Sequence, residues 1–334
     1  MKAWHFQSSS GPMESNLSLN HSVPLPTLPP TSLLIENHST AVNAIDYKIL
    51  EMGLITRLAF RSPITPGMDI CGRIVQLGTA TSTDFKIGDI VYGFVAPGSA
   101  HGGLAEYVPV PQDAVVKVPD GLSADDMVAI ATVGSTTYAS IAPYVKPGSH
   151  VFINGGSGGT GVVAIQIAKA LGCHVTTSTS SANIALCESL GADTVLDYTS
   201  PKAGIVAQIK DLGAMFDLVV DNVGAPADLY SASTAFLRAE GKYVQVGAAI
   251  SVSGILQLWG NMLRSLFRVG SRKFVFAQAE AKGENLEQLA KWMVEGKLRA
   301  VVDSTFVFED APKAYEKLKT GRAKGKIVVH VKEE

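Results

Sequence analysis

Residues 151–171 restrict what this chain can fold into more than any other stretch. An apolar run, Val151-Phe152-Ile153-Asn154, ends in the glycine cluster Gly155-Gly156-Ser157-Gly158-Gly159-Thr160-Gly161. An Ala/Ile-rich helical pattern from Val162 to Leu171 follows without a gap. Two spacings coexist: Gly156, Gly158 and Gly161 read G-x-G-x-x-G, whereas Gly155, Gly158 and Gly161 read G-x-x-G-x-x-G. Either one asks for a tight turn with positive φ and for backbone N–H groups that open a helix, which together seat a pyrophosphate. A strand before and a helix after turn a weak glycine pattern into an expectation of dinucleotide binding.

The second strand of such a unit decides which dinucleotide. Folds that prefer NAD place an Asp or Glu about 20 residues on, where it takes the ribose 2′-OH. Here Cys173-His174-Val175-Thr176-Thr177 runs into Ser178-Thr179-Ser180-Ser181-Ala182-Asn183, and no acid appears before Glu188. Hydroxyls and an amide leave room for a 2′-phosphate that a carboxylate would repel, so the expectation is NADPH. No Lys or Arg stands in this loop, which leaves room for NADH as well.

A chain of 334 residues suits two domains. The 28 basic and 30 acidic residues nearly cancel, with a net charge of −2 and no basic block, so nucleic acid is not an expected partner. Cys71, Cys173 and Cys187 are scattered and never approach C-x-x-C spacing, which suits a reducing compartment. Met1 to Phe6 lacks a signal-peptide core, and no apolar stretch is long enough to span a bilayer. The expected location is cytoplasmic.

Up to about Ser123 the pattern is strand-rich and broken by Gly and Pro. Strands are expected at 2–6, 33–36, 71–78, 86–93, 103–108 and 114–119, with 8–30 largely loop. Ser123 then reads as a helix cap, and to about Ala277 strands and helices alternate. The six strands are expected at 151–154, 175–177, 194–197, 217–221, 242–246 and 273–276. They describe an α/β fold, a Rossmann-type doubly wound parallel sheet. Phe274-Val275-Phe276 would be an apolar edge, and such an edge invites pairing, so a homodimer is expected. Between the last two strands, 255–267 carries Leu256, Trp259, Met262, Leu263, Leu266 and Phe267 with Arg264 and Arg268. It reads as a crossover helix that borders the mouth of a lipophilic substrate site, with a membrane-surface helix as the alternative. The tail, with helices at 285–295 and 310–319 (Asp310 as cap) and strands at 301–308 and 325–331, cannot extend that sheet in order. It is expected to return to the N-terminal domain. The expected boundaries are 1–123, 124–277 and 278–334.

In chain order, Asn43-Ala44-Ile45-Asp46-Tyr47-Lys48, Pro66-Gly67-Met68-Asp69-Ile70-Cys71-Gly72, Phe85-Lys86-Ile87-Gly88-Asp89, Gly102-Gly103-Leu104-Ala105-Glu106-Tyr107, the glycine turn and Gly321-Arg322-Ala323-Lys324-Gly325-Lys326-Ile327-Val328 span nearly the whole sequence. Together they resemble the medium-chain dehydrogenase/reductase superfamily, in its zinc-free quinone oxidoreductase and enone reductase branch. The resemblance implies a GroES-like β domain into which the Rossmann domain is inserted, with the cofactor between them. It assigns Ser157, Gly158, Gly159, Thr160 and Gly161 to the pyrophosphate, Ser178, Ser180 and Asn183 to the adenosine phosphate, and Tyr198 to the adenine ribose. Asp46 joins the cofactor set. Asn222 and Gly247 are added because they follow the fourth and fifth strands, where such sheets bind ligands. Thr132, Thr136 and Tyr138 are candidates to border the nicotinamide or are simply helix packing. Zinc is not expected, since Pro66-Gly67-Met68-Asp69 holds no His and four closely spaced cysteines are lacking.

Without a metal, hydride arriving at the β-carbon of an enone leaves charge on the carbonyl oxygen, and a cation held there favours it. The resemblance points to Lys48 for that task, with Asn43 orienting cofactor or substrate and Tyr47 lining the pocket or relaying a proton. His101 is a weaker candidate for a proton donor. The expected activity is metal-free, NADPH-dependent reduction of a small lipophilic enone or a quinone. The alternatives are a trans-acting enoyl reductase of polyketide biosynthesis and an NADPH-binding structural or interaction protein whose chemistry has lapsed.

Overall fold

The computed structural model describes all residues except 8–10, 54–55, 57, 59, 61–62, 202, 214, 248–251, 268–271, 278–280 and 333–334, and the side chains of 252, 253 and 255. Arg268 therefore lies outside the described residues. Two compact units make up the chain: Met1–Ser135 with Ala279–Glu334, and Thr136–Gln278.

In the first unit β1 (Ala3–Phe6) pairs with β2 (Leu17–Asn20). The main sheet takes β3 (Ser32–Ala41), β4 (Asp69–Leu77), β5 (Ile90–Phe94), β6 (Tyr107–Pro111), β7 (Val115–Lys117), β14 (Val302–Val307) and β15 (Lys326–His330). It runs β14-β15-β3-β4-β5-β7, with β6 also on β3. Lys326 to Val329 is buried on both faces, and such a strand needs covered neighbours on either side. It finds them in β14 and β3, so the tail does return to the N-terminal unit. Trp4 of β1 fastens it further by donating its indole N–H to the Phe308 carbonyl at 2.8 Å. Helix α1 (Ala44–Leu50) follows β3. Helix α2 (Ala124–Val128), capped by Ser123 as expected, packs on β3 and β4. The unit division falls within α3 (Ala131–Ile141).

The second unit alternates β8 (His150–Asn154), α4 (Gly159–Ala170), β9 (His174–Thr179), α5 (Ile184–Ser189), β10 (Thr194–Asp197), α6 (Ile205–Asp211), β11 (Phe216–Asp221), α7 (Leu229–Ala232), β12 (Leu237–Gln245), α8 (Val252–Phe267) and β13 (Lys273–Phe276). All six strands are parallel in the order β10-β9-β8-β11-β12-β13. That is the doubly wound arrangement, and its direction reverses at β8, whose C-terminal end carries the glycine turn. Phe152, Ile209, Phe216, Tyr230, Tyr243 and Phe274 fill one face.

Helix α8 has the expected position between β12 and β13 but wears its amphipathicity outward. Leu256, Trp259, Leu266 and Phe267 are 60–74% exposed, whereas Asn261 is buried and Ser265 Oγ accepts the Phe274 N–H at 2.9 Å. The tail helices are α9 (Gly283–Val294) and α10 (Ala311–Lys319). Asp310 does not cap α10 with its side chain, contrary to expectation; its carboxylate pairs instead with Lys313 at 2.8 Å.

Candidate active site

The glycine turn of the second unit separates the duties of its glycines. Gly155 has φ +81°, a conformation that L side chains rarely adopt. A Cβ on Gly156 would meet Thr177 Oγ1 at 2.2 Å, and one on Gly161 would meet the Gly155 carbonyl at 2.0 Å. Gly158, by contrast, faces open space and has no neighbour nearer than 3.9 Å. Gly158 is the N-cap of α4 and carries no side chain to cap it, so the N–H groups of Gly159, Thr160 and Gly161 open the helix unsatisfied. With the helix dipole behind them they make an anion seat.

Ser157 borders that seat. Its Oγ accepts from Thr179 Oγ1 (2.8 Å) and Asn183 Nδ2 (3.2 Å), which leaves its own O–H as a donor. Asn183 also donates to Ser180 Oγ at 3.3 Å, while its Oδ1 is buried without a partner. Tyr198, after β10, is exposed. Asn222 holds both of its amide atoms buried and unpaired, and Gly247 is packed so tightly that a Cβ would come within 1.9 Å of the Asn222 carbonyl. Buried polar atoms are normally satisfied, so open N–H groups and orphaned amides at the switch point fit a nicotinamide dinucleotide. Ser178 does not join them. It is fully buried, donating to Asn154 Oδ1 (2.7 Å) and accepting the Gly155 N–H (3.0 Å). Its hydroxyl sits under the turn, contrary to the phosphate role expected of it.

In the first unit α1 begins in a closed polar cluster. Asn43 and Asp46 form a reciprocal capping box, with the Asn43 N–H donating to Asp46 Oδ2 at 2.9 Å. The Asn43 amide donates to Asp69 Oδ2 (2.9 Å) and accepts from Lys326 Nζ (2.6 Å), and Lys326 pairs with Asp69 at 3.2 Å. Lys326 also donates to the Val42 carbonyl, and Asp69 Oδ1 accepts the Thr132 N–H. Asn43 is thus engaged inside the unit rather than offered to a ligand. Asp46 is buried too and takes the Tyr315 hydroxyl at 3.1 Å. Burial, reinforced by nearby Asp69, pushes its carboxyl up to about 7. Its Oδ2 is spent on the helix start, while its Oδ1 is buried without a partner. Sequence reasoning missed Asp69 and Lys326, although a Lys inside the apolar strand pattern Lys326-Ile327-Val328-Val329 was the available signal.

Tyr47 and Lys48 lie on the half-buried side of α1. Lys319 Nζ sits 4.8 Å from the centre of the Tyr47 ring and is also paired with Glu14 and Glu51. Burial raises the Tyr47 phenol, which keeps its proton. Burial also pulls the Lys48 ammonium below the ordinary lysine range. His101 is in an exposed loop, and Thr132 and Thr136 are buried in α3, which Tyr138 also joins.

No group of three His, Cys, Asp or Glu side chains converges as metal ligands among the described residues. Asp69 is committed to Lys326, and Cys71 is a buried thiol in β4 outside any disulfide. This donor set does not fit tetrahedral zinc.

A β-rich unit into which a doubly wound sheet with this turn is inserted defines a dinucleotide-dependent oxidoreductase. The alcohol dehydrogenase GroES-like domain family matches residues 29–120, and the zinc-binding dehydrogenase family matches 190–329. A trans-enoyl reductase, pgmF, of Aspergillus terreus is 45% identical over 100% of this chain and 97% of its own. A zinc-type alcohol dehydrogenase-like protein of Schizosaccharomyces pombe is 32% identical over 98% of this chain and 95% of its own. The quinone oxidoreductase structure from Coxiella burnetii superposes with a TM-score of 0.83 at 29% identity, covering 99% of both chains. The chain belongs to the medium-chain dehydrogenase/reductase superfamily of NAD(P)-dependent oxidoreductases.

Proposed function

We propose that this protein is an NADPH-dependent reductase of activated carbon–carbon double bonds, acting without a metal. The observation that carries the reading is an open anion seat at the glycine turn of one unit; a partly desolvated lysine in the other, and no side-chain set that fits zinc among the described residues, support it. When bound, the reduced nicotinamide supplies hydride. Lys48 holds positive charge for the carbonyl oxygen of an enone or enoyl thioester as that oxygen becomes anionic, an interaction that strengthens on the way to the transition state. Tyr47 lines the substrate side and keeps a proton to give. The N-terminal end of α4 with Ser157 takes the pyrophosphate. Ser180, Asn183 and Tyr198 meet the adenosine end, and Asn222 and Gly247 lie under the rest of the cofactor.

The likeness to pgmF favours a carrier-bound enoyl thioester, reduced in trans, as the substrate class. The Coxiella likeness keeps quinones as the second reading. For NADPH over NADH the support is the missing acid at the end of β9. The test is NADPH oxidation against three acceptors: a small enone, a quinone and an enoyl thioester on an acyl carrier. Turnover of the thioester or enone fits; tight NADPH binding with no turnover of any acceptor would instead indicate a binding protein.

We further propose a homodimer joined at the β13 edge, where the outward apolar face of the adjacent α8 would be covered by its mate. Light scattering at the monomer mass would rule this out. Three buried cysteines, none of them in a disulfide, suit a reducing, cytoplasmic setting. No helix among the described residues is long and apolar enough to cross a membrane.

A further inference from the structure

A row of buried side-chain hydrogen bonds crosses the C-terminal ends of four neighbouring strands of the second unit. Ser178 of β9 donates to Asn154 of β8 at 2.7 Å. Asn154 Nδ2 donates to Oδ1 of Asp221 on β11 at 2.8 Å, and the Tyr243 hydroxyl of β12 donates to Asp221 Oδ2 at 2.6 Å. None of the four residues is more than 5% exposed. Asp221 is the hub. Oδ1 also accepts the backbone N–H groups of Val223 (3.0 Å) and Gly224 (2.9 Å), and its own carbonyl accepts those of Val246 and Gly247. Asn154 reaches the Ala225 carbonyl as well, and Ser178 takes the Gly155 N–H.

Three turns therefore converge on one residue: the segment 222–225 after β11 on its carboxylate, the start of the segment after β12 on its main-chain carbonyl, and the glycine turn after β8 through Asn154 and Ser178. The four donors that hold this buried anion are all neutral groups: an amide, a phenol and two backbone N–H groups. Burying a carboxylate among neutral donors costs stability unless each bond is well directed. The same turns carry the open features of the cofactor seat. Asn222, with its two unpaired amide atoms, is the residue after Asp221, and Gly247 packs against its carbonyl.

We propose that Asp221 is a positioning residue for the reduced dinucleotide, holding the Asn222–Gly224 segment and, through Asn154 and Ser178, the glycine turn in one fixed arrangement before the cofactor arrives. Tyr243 shares that role as the anchor on the far side. The inference rests on the reading of this unit as the NADPH seat and adds the residue that preorganises it. Burial and the Asp221 charge both raise the Tyr243 phenol well above its ordinary range, in keeping with its part as donor.

The experiment measures NADPH affinity by nicotinamide fluorescence, along with KM and kcat, in the full chain and three variants. Asp221→Ala is expected to raise Kd and KM for NADPH about 10-fold while kcat at saturating NADPH stays within about 2-fold, the pattern for lost ground-state binding. Asp221→Asn keeps an acceptor for the loop N–H groups and is expected to recover most of that loss. Tyr243→Phe is expected to raise KM about 3-fold, in proportion to one lost hydrogen bond. A merely structural role would lower the melting temperature and the active fraction without moving KM. A folded Asp221→Ala with wild-type Kd overturns the inference. If that variant does not fold, Tyr243→Phe decides, and an unchanged Kd there overturns it equally. Failure of the wild-type protein to bind NADPH would instead overturn the cofactor reading itself.

Discussion

Each unit buries a carboxylate among its candidate site residues, and the two solve the charge problem differently. Asp69 faces an ammonium, Lys326, with Asn43 and the Thr132 N–H completing its shell. Asp221 is held by neutral donors alone among its hydrogen-bond partners. An ion pair in a buried cluster is strong against loss of both members and weak against loss of one, because the survivor is left uncompensated. A carboxylate among neutral donors distributes its stabilisation over several bonds, each removable at modest cost. The first arrangement suits a fixed helix start for Tyr47 and Lys48. The second suits several turns that must be held in register around a ligand.

The largest effect should come from breaking the charged cluster. Lys326→Met leaves Asp69 buried without its cation and should cost about 3–5 kcal/mol in urea unfolding, with the double variant Lys326→Met/Asp69→Asn recovering much of it. If the single and double variants lose the same stability, the two clusters do not differ in the way described.

Next is the helix that this cluster anchors. Lys48→Met should lower kcat for an enone about 100-fold, roughly 2.7 kcal/mol, with NADPH affinity nearly unchanged. Because burial lowers the Lys48 ammonium, the wild-type rate should fall on the alkaline side at a lower pH than a solvated lysine would dictate. Lys48→Arg, which keeps its charge, should lose that limb. An unaltered pH profile in either variant removes Lys48 from the chemistry.

Asp46 sharpens the comparison from the other side, as a carboxyl of the charged cluster that still holds its proton in mild acid. Its folded-state value of about 7 lies above that of an unfolded chain, so the native state holds a proton that the unfolded state releases. This contribution is complete in acid, below the unfolded value, and is lost as pH rises towards and through about 7. Asp46→Asn should flatten the slope, gaining about 2 kcal/mol relative to wild type between pH 5 and pH 8 in thermal or urea melts. Parallel curves would place the ionised form in the folded protein.

The smallest expected effect adds a cation to the neutral unit. Asn183→Lys should raise the preference for NADPH over NADH about 10-fold in kcat/KM, roughly 1.4 kcal/mol, by pairing with the 2′-phosphate. An unchanged ratio would separate residue 183 from the adenosine phosphate.

Much of this molecule was legible beforehand, and the parts that were not share a cause. The strand–glycine–helix run marked the proposed nucleotide seat because its signals are local: period, turn chemistry and capping lie within a few residues of one another. The six parallel strands and the return of the tail followed from the same periodicities. What stayed hidden depends on partners far apart in sequence. Ser178 looked like a phosphate ligand until it was found beneath Asn154 and Gly155. Asn43 read as a ligand contact until Asp69 and Lys326 arrived from distant segments to occupy it, and Tyr315 arrived to take one oxygen of Asp46. The outward face of α8 was also out of reach, since spacing gives a helix an apolar side but not the direction in which it points.

By itself the sequence determined the doubly wound sheet, the insertion of that sheet into a β-rich domain, the glycine seat, and the lack of closely spaced zinc ligands. Only the tertiary structure decided which polar side chains remain open and which are closed off by one another. A hydrogen-bonding group binds a ligand only if the fold leaves it without a partner, and that is a property of packing between strands rather than of any one of them.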